Sequence, residues 1–256
     1  MRYIFLLLVT IGLYSCGTSR KVLTYNIFHG ENPYNKGNSN LADISQLISS
    51  LDPDVVFLQE VDSMTNRTKS FNQGRKIDVA AELGNLSGYT GYFSKAIDYS
   101  DGGYGEGMLI RKPDDIIRIS LPFPQGGEGR AMIAVKEKGK LILAGTHLCH
   151  EYETNRLAQV DAIIDYYQKS GLPMIISGDF NFTPESKEYK RITEHFHDAA
   201  VLGNNVQFTF DADKPRGRID YIFLSKNRSW KVKEVHTVQS LASDHLPLYA
   251  KVKMRK

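Results

Sequence analysis

Ten short apolar runs, each of strand length and rich in β-branched residues, constrain this chain more than any other feature. They read KVLTYNI (21–27), PDVVFLQE (53–60), GEGMLIRK (105–112), DIIRISL (115–121), RAMIAVKE (130–137), KLILAGTHL (140–148), LPMIISGDF (172–180), RIDYIFLS (218–225), KVKEVHTVQ (231–239) and LPLYAKVKM (246–254). Gly, Pro, Asp or Asn bounds each of them, which marks strand ends. KEKGK (136–140) joins two runs and predicts a hairpin turn. GYGEG (103–107) precedes a strand rather than a helix, so it is expected to be a tight turn and not a phosphate loop.

Three stretches between the runs carry a helical period. SNLADISQLISSL (39–51) places Leu41, Ile44, Leu47, Ile48 and Leu51 on one face, behind Ser39 as a candidate cap. RKIDVAAELGNL (75–86) does the same with Ile77, Ala80, Ala81 and Leu83, and Gly84 is its expected end. NRLAQVDAIIDYYQKSG (155–171) repeats the pattern and closes on Gly171 as C-cap. Each helix has one apolar face and needs a sheet beneath it. The expected fold is therefore a mixed α/β domain in which two sheets pack face to face with helices outside, and the closely spaced strands of 105–148 are expected to be antiparallel. No Pro/Gly/Ser-rich linker divides residues 22–256, so they are expected to form one domain.

Residues 1–21 read as a leader and short linker. MRYIFLLLVTIGLYSC has one positive charge, Arg2, and then an apolar run from Tyr3 to Tyr14 that is too short to span a bilayer as a mature helix. Leu13-Tyr14-Ser15-Cys16 resembles a bacterial lipoprotein signal, in which Cys16 is lipidated and becomes the new N-terminus. A simple secretory signal and an uncleaved anchor are the alternatives. The expected location is exported and membrane-anchored, periplasmic or cell-surface, with the chain a monomer. Cys149 lies in the strand-like run LILAGTHLCH and is expected to be a buried free thiol. The formal net charge of +3 gives no strong polyanion footprint.

Chemistry collects at the ends of the apolar runs. Asn26, Glu60, His147, and Asp179 with Asn181 sit at C-terminal ends; Asp220 lies inside RIDYIF; Asp244 and His245 open the last run. Singly, each reads as a turn residue, a cap or a satisfied core group. Together they are costly to bury, and converging carboxylates repel one another unless a cation joins them. Hard oxygen ligands with no cysteine cluster point to Mg²⁺, or Mn²⁺, rather than zinc. An extended segment would point Asp179 and Asn181 the same way.

In their order, TYNIFHG, LQEVD, GTHL, SGDFN, GRIDYIFLS and SDHLPL resemble the motifs of the endonuclease/exonuclease/phosphatase superfamily. The resemblance runs from about Val22 to Val252. It implies a four-layer α/β/β/α sandwich and divalent-metal-dependent hydrolysis of a phosphodiester or phosphomonoester. By that resemblance Glu60 holds Mg²⁺ with Asn26 nearby, and Asp244 belongs to the metal site. Asp179 positions or deprotonates the attacking water, with the ordinary pKa of a weak base. Asn181 bonds a phosphate oxygen, and Asp220 pairs with His245 and favours its imidazolium. His147 stands where deoxyribonuclease-like and sphingomyelinase-like members carry a histidine and abasic endonucleases a tyrosine; it bonds phosphate or protonates the leaving group.

Arg130 is a weaker candidate for substrate phosphate, as is Arg67, more readily read as a surface loop residue. Tyr25, Phe28 and His29 flank Asn26 as candidate cleft aromatics. The substrate classes left open are nucleic acid, phospholipid head group and soluble phosphate ester. The competing reading is a catalytically silent lipoprotein that binds phosphorylated ligands.

Overall fold

The structure, a computed structural model, describes residues 19–112 and 115–255. The expected leader and its Cys16 lie outside the described residues. The strands, in chain order, are β1 (Ser19–Asn26), β2 (Val55–Ser63), β3 (Thr90–Tyr99), β4 (Gly102–Ile110), β5 (Ile116–Leu121), β6 (Arg130–Glu137), β7 (Leu141–His147), β8 (Met174–Asp179), β9 (Phe196–Asp198), β10 (Asp220–Ser225), β11 (Trp230–Thr237) and β12 (Leu248–Met254). The helices are α1 (Leu41–Leu51), α2 (Asn66–Phe71), α3 (Val79–Ser87), α4 (Glu153–Ser170), α5 (Lys187–Thr193) and α6 (Ala199–Leu202). Among the described residues no helix is long and apolar enough to cross a membrane.

The strands form two six-stranded sheets, ordered β11-β12-β1-β2-β4-β3 and β5-β6-β7-β8-β10-β9. Each sheet is antiparallel except at one central pair, β1 with β2 and β7 with β8. The expected strands all form, and the 138–140 turn joins β6 to β7 as a hairpin. Period-2 alternation divides their side chains between layers. Val22, Phe57, Ile133, Ile175 and Ala250 fill the space between the sheets. Leu23, Tyr25, Leu58 and Tyr249 pack under α1 and α3, and Met132, Ile176, Phe180 and Tyr221 pack under α4 and α5. The result is the four-layer α/β/β/α arrangement. One contact fixes how closely the sheets approach: a Cβ at Gly145 of β7 would lie 2.3 Å from the Phe57 ring of β2, so the ring occupies the space a side chain would take.

Several local expectations are corrected. GYGEG is not a tight turn but part of β4, where Gly105 lets the strand approach the backbone of β3; a Cβ there would lie 2.2 Å from the Ser94 carbonyl. α3 runs through Gly84 and ends with Gly88 as its left-handed C-cap. Asn40, not Ser39, is the N-cap of α1, although the Ser39 hydroxyl accepts from the Leu41 N–H. Gly171 caps α4 as expected, and Cys149 is a buried free thiol. β3, β9, α2, α5 and α6 were not anticipated. β3 is a half-exposed edge strand with weak apolar alternation, and the others are short.

Candidate active site

Strand register assembles the site. β8 lies between parallel β7 and antiparallel β10, and its terminal Asp179 is in register with His147 on one side and with Asp220 on the other. Neighbouring strands are about 4.8 Å apart, so three chemistry-bearing residues stand in one row. The first sheet supplies a second row. Asn26 ends β1, and the β2 ladder shifts between Leu58 and Val61, with Glu60 at φ 56° inside that irregularity. The turn before β12 adds Asp244 and His245. Glu60, Asp244, His245, Asp179, Asn181, His147 and Arg130 all line one pocket of about 340 Å³.

Asn26 stitches the rows together. Its Nδ2 donates to Glu60 Oε1 at 3.0 Å and to Asp179 Oδ2 at 3.2 Å, while its Oδ1 accepts the Phe28 N–H at 3.2 Å. It thus gives the acids its NH₂ and gives its oxygen to the backbone. The amide therefore links Glu60 and Asp179 across the two sheets and stands beside the acids expected to hold the metal.

The side built on Asp220 is charged. Asp220 Oδ2 lies 2.9 Å from His245 Nδ1, and His245 Nε2 faces Asp179 Oδ2 at 3.7 Å. Burial alone would depress the imidazole pKa, but Asp220 and Asp179 overcome it and raise it to about 10. Asp179 is raised to about 7 by burial and by the Asp220 charge, against the pull of His245. The expectation of an ordinary pKa for Asp179 is therefore corrected, because the residue is buried at the end of an interior strand.

The side built on Arg130 is different. Arg130 is buried, with Nη1 3.2 Å from His147 Nδ1 and Nη2 3.0 Å from His150 Nδ1. A guanidinium only donates, and so does the Asn181 Nδ2 amide, so donor groups face both ring nitrogens of His147. Burial, and then the Arg130 charge, hold His147 well below its ordinary pKa. It is a neutral imidazole whose Nε2 lies 2.9 Å from the Asn181 amide and 3.5 Å from Asp179 Oδ2. Asn181 reaches this place by a different backbone from the one expected. It is left-handed, at φ 51°, and its N–H donates to Asp179 Oδ1 at 2.9 Å. The strand ends at Asp179, so a turn rather than an extended segment brings the two side chains together.

Glu106 was missed by sequence reasoning. It is buried on β4, its Oε1 accepts from the Ala131 N–H at 3.3 Å, and burial pushes its pKa up to about 8. Its signal was an acid inside an apolar run, hidden by the three glycines around it. Arg67 is not a phosphate ligand here: it pairs with both oxygens of Asp62 and stacks on Tyr99 and Tyr104. Tyr25 is core, its hydroxyl bonded to Ser240. His29 is buried against Glu31, with Nδ1 4.0 Å from Glu60.

The donor set suits a divalent cation. Asp179, Asp220 and His245 bring one ligand-type atom each within 4.8 Å of the others; while His245 is an imidazolium it donates rather than ligates, and the oxygens for a metal come from the carboxylates. Glu60 and Asp244 add hard oxygens, and burial, together with the Asp244 charge, pushes the Glu60 carboxyl up. Among the described residues, histidines are the only basic groups within ion-pair distance of these four acids, and of those three, His29, His147 and His245, only His245 is raised above its ordinary pKa. Unneutralised carboxylates around one pocket are what a metal corrects. Fold and site together define a divalent-metal-dependent hydrolase.

The chain matches the model of the Endonuclease/Exonuclease/phosphatase family over residues 23–245, and it belongs to that family. No curated protein matches it. Among solved structures it is similar to an endonuclease/exonuclease/phosphatase from Beutenbergia cavernae, with TM-score 0.75 and 21% identity over 92% of this chain and 72% of that one. It is also similar to one from Bacteroides vulgatus, with TM-score 0.72 and 24% identity over 93% of this chain and 100% of that one. A mannosyl-6-phosphatase from Bacteroides thetaiotaomicron aligns with TM-score 0.70 and 18% identity over 93% of this chain and 100% of that one. At these identities the likeness concerns the fold.

Proposed function

We propose that the chain is an exported phosphoesterase that uses Mg²⁺, or Mn²⁺, to hydrolyse a small phosphate ester. The observation that carries this reading is the meeting, in one pocket, of Glu60 and Asp244, two carboxylates with no lysine or arginine in ion-pair distance among the described residues, with a buried acid, Asp179, and a charged imidazole, His245. The pocket volume of about 340 Å³ suits a phosphoryl group with a small substituent, and one structural relative is named a mannosyl-6-phosphatase. The net charge of +3 supports a small ester over a long polyanion.

Glu60 and Asp244 would hold the ion. When bound, it supplies neutralisation of charge at the phosphoryl and leaving oxygens. Asp179, with a pKa near neutrality, orients the attacking water and takes its proton. Asn26 fixes that carboxylate relative to Glu60. His245, kept protonated by Asp220, binds a phosphoryl oxygen, in the way an aspartate orients a hydrolase histidine. His147 and Asn181 line the place of the phosphoryl oxygens, where negative charge builds, and the Asn181 amide donates there. A neutral His147 is not a proton source, so its part is to bind phosphate and not to protonate the leaving group. Lipidation at Cys16 tethers the chain to a bacterial membrane; a Cys16→Ser chain still labelled by a palmitate probe would sink that part.

The activity is tested with bis-p-nitrophenyl phosphate and p-nitrophenyl phosphate in Mg²⁺ or Mn²⁺. Hydrolysis is expected to stop in EDTA and to return with metal, and Asp179→Ala is expected to lose turnover while keeping metal affinity. Equal rates with and without chelator overturn the reading. Unchanged ligand capture by Asp179→Ala, without turnover by either protein, favours the silent binding lipoprotein.

A further inference from the structure

β1 has two functional ends. Its last residue, Asn26, is in the pocket; its first, Ser19, is opposite Lys253 of β12. The same level of the sheet carries a patch of lysines. Lys231 is opposite Lys253, Lys21 is opposite Lys251, and the irregularity in β11 between Val232 and Glu234 inserts Lys233. On β12, Lys251 and Lys253 share the face of Tyr249, which packs in the core under α1 and α3. Lys21 pairs with Asp52, and the Glu234 carboxylate opposite Lys251 is turned to His236 at 3.5 Å. Lys231, Lys233, Lys251 and Lys253 form no ion pair among the described residues. The Lys231 charge is the first cause holding Lys233 below its ordinary pKa, and Lys253 and Lys251 add to it.

Lysine on an edge strand guards against sheet-to-sheet association. That accounts for Lys231 and Lys233 on β11 but not for Lys251 and Lys253, which lie on an interior strand. Like charges placed directly across strands cost stability, so a local excess of positive charge here calls for an anion outside the fold. The sequence places one source close by. Only Gly17 and Thr18 separate Cys16 from Ser19, so a lipid on Cys16 can stand no more than roughly 10 Å from the start of β1.

We infer that the face bearing Lys231, Lys233, Lys251 and Lys253 docks on the anionic phospholipid surface of the membrane that holds the anchor, at the end of β1 remote from the catalytic pocket. This rests on the proposed anchor at Cys16. Ser19–Asn26 is eight residues, which at ~3.3 Å per residue puts Asn26 about 23 Å along the strand from Ser19. That exceeds the ~8–10 Å reach of screened charge at physiological salt. The lysine patch is thus separate from the pocket, and docking is expected to leave the pocket open to a water-soluble phosphate ester.

The test uses the full chain carrying Cys16→Ser, which reads the protein surface without the acyl chain. Its binding is measured on phosphatidylcholine vesicles with and without 30 mol%, a round figure of about one lipid in three, of phosphatidylglycerol. We expect roughly tenfold tighter binding to the anionic vesicles, declining with added salt. The combined Lys231→Gln, Lys233→Gln, Lys251→Gln and Lys253→Gln variant is expected to lose that preference while keeping its turnover of bis-p-nitrophenyl phosphate. Vesicle-bound protein is expected to turn over that soluble ester as fast as free protein and to leave the vesicle lipids intact. Equal binding to both vesicle types, a preference that survives the four substitutions, tighter binding of duplex DNA by the same lysines, or loss of turnover on docking would each overturn the inference. Palmitate labelling of the Cys16 chain is a separate readout, so a failed anchor and a failed docking face are told apart.

Discussion

Two histidines share the pocket and are kept in opposite states. His245 has a carboxylate, Asp220, behind its Nδ1 and is raised to about 10. His147 has a guanidinium, Arg130, at the same ring atom and is pushed well down. Both are buried, and burial depresses both. What separates them is the sign of one partner. In water the two imidazoles would titrate together; here one remains a cation and the other neutral throughout the physiological range.

The largest way to break the contrast is to remove the cation. His245→Gln is expected to lower kcat about 10³-fold or more, as the loss of a preorganised charge at the phosphoryl group implies. An undiminished kcat in steady-state assays would put the charged partner elsewhere. Asp220→Asn comes next, with a loss of about 10²-fold and a change in pH profile. In the native protein the Asp220 carboxylate keeps His245 protonated until the pH nears 10. Without it the protonated form is lost at lower pH, so the alkaline limb of kcat should move down. A limb that stays in place would separate Asp220 from the titration.

Arg130→Met sharpens the other half. It frees His147 Nδ1 from its donor and lets the imidazole pKa rise toward its ordinary value. The loss in kcat/KM is expected to be about tenfold to a hundredfold, largest below neutral pH, where His147 would now charge. A loss that is uniform in pH would mean that Arg130 acts on the substrate alone.

The smallest effect concerns stability. Glu106 is raised from 4.5 to about 8 by burial. Between those values the folded state holds a proton that the unfolded state has lost, so stability is fully present below pH 4.5 and declines until about pH 8. Glu106→Gln should flatten that decline, and in EDTA it should gain on the order of 2 kcal/mol over the native protein at pH 8.5. Chemical denaturation at several pH values measures it; parallel curves for the two proteins would show that Glu106 is already paired.

Much of this was legible in order along the chain. Strand length, β-branched content and turn residues located the ten runs, and acids and amides at their ends located the site. What sequence could not give was non-local. Asp179 meets both His147 and Asp220 only because β8 lies between β7 and β10, and no local pattern encodes that adjacency. Arg130 and His147 were both candidates, but their hydrogen bond, and so the neutral state of the histidine, depends on pairing between β6 and β7. Asn181 misled for a local reason. Spacing of two suggested a strand, while the chain turns through φ 51°. Glu106 was concealed because glycine neighbours signal a turn when read alone, yet here they let two strands approach.

The Phe57 ring against Gly145 has one more consequence. Phe57 stands three residues before Glu60, and Gly145 stands two before His147. The contact is at the sheet interface, yet it determines how far apart the two walls of the pocket are held. It acts as a gauge block: the loops at the mouth can alter in length or character to suit another ester, while the clearance across the reacting phosphorus is set deep in the core.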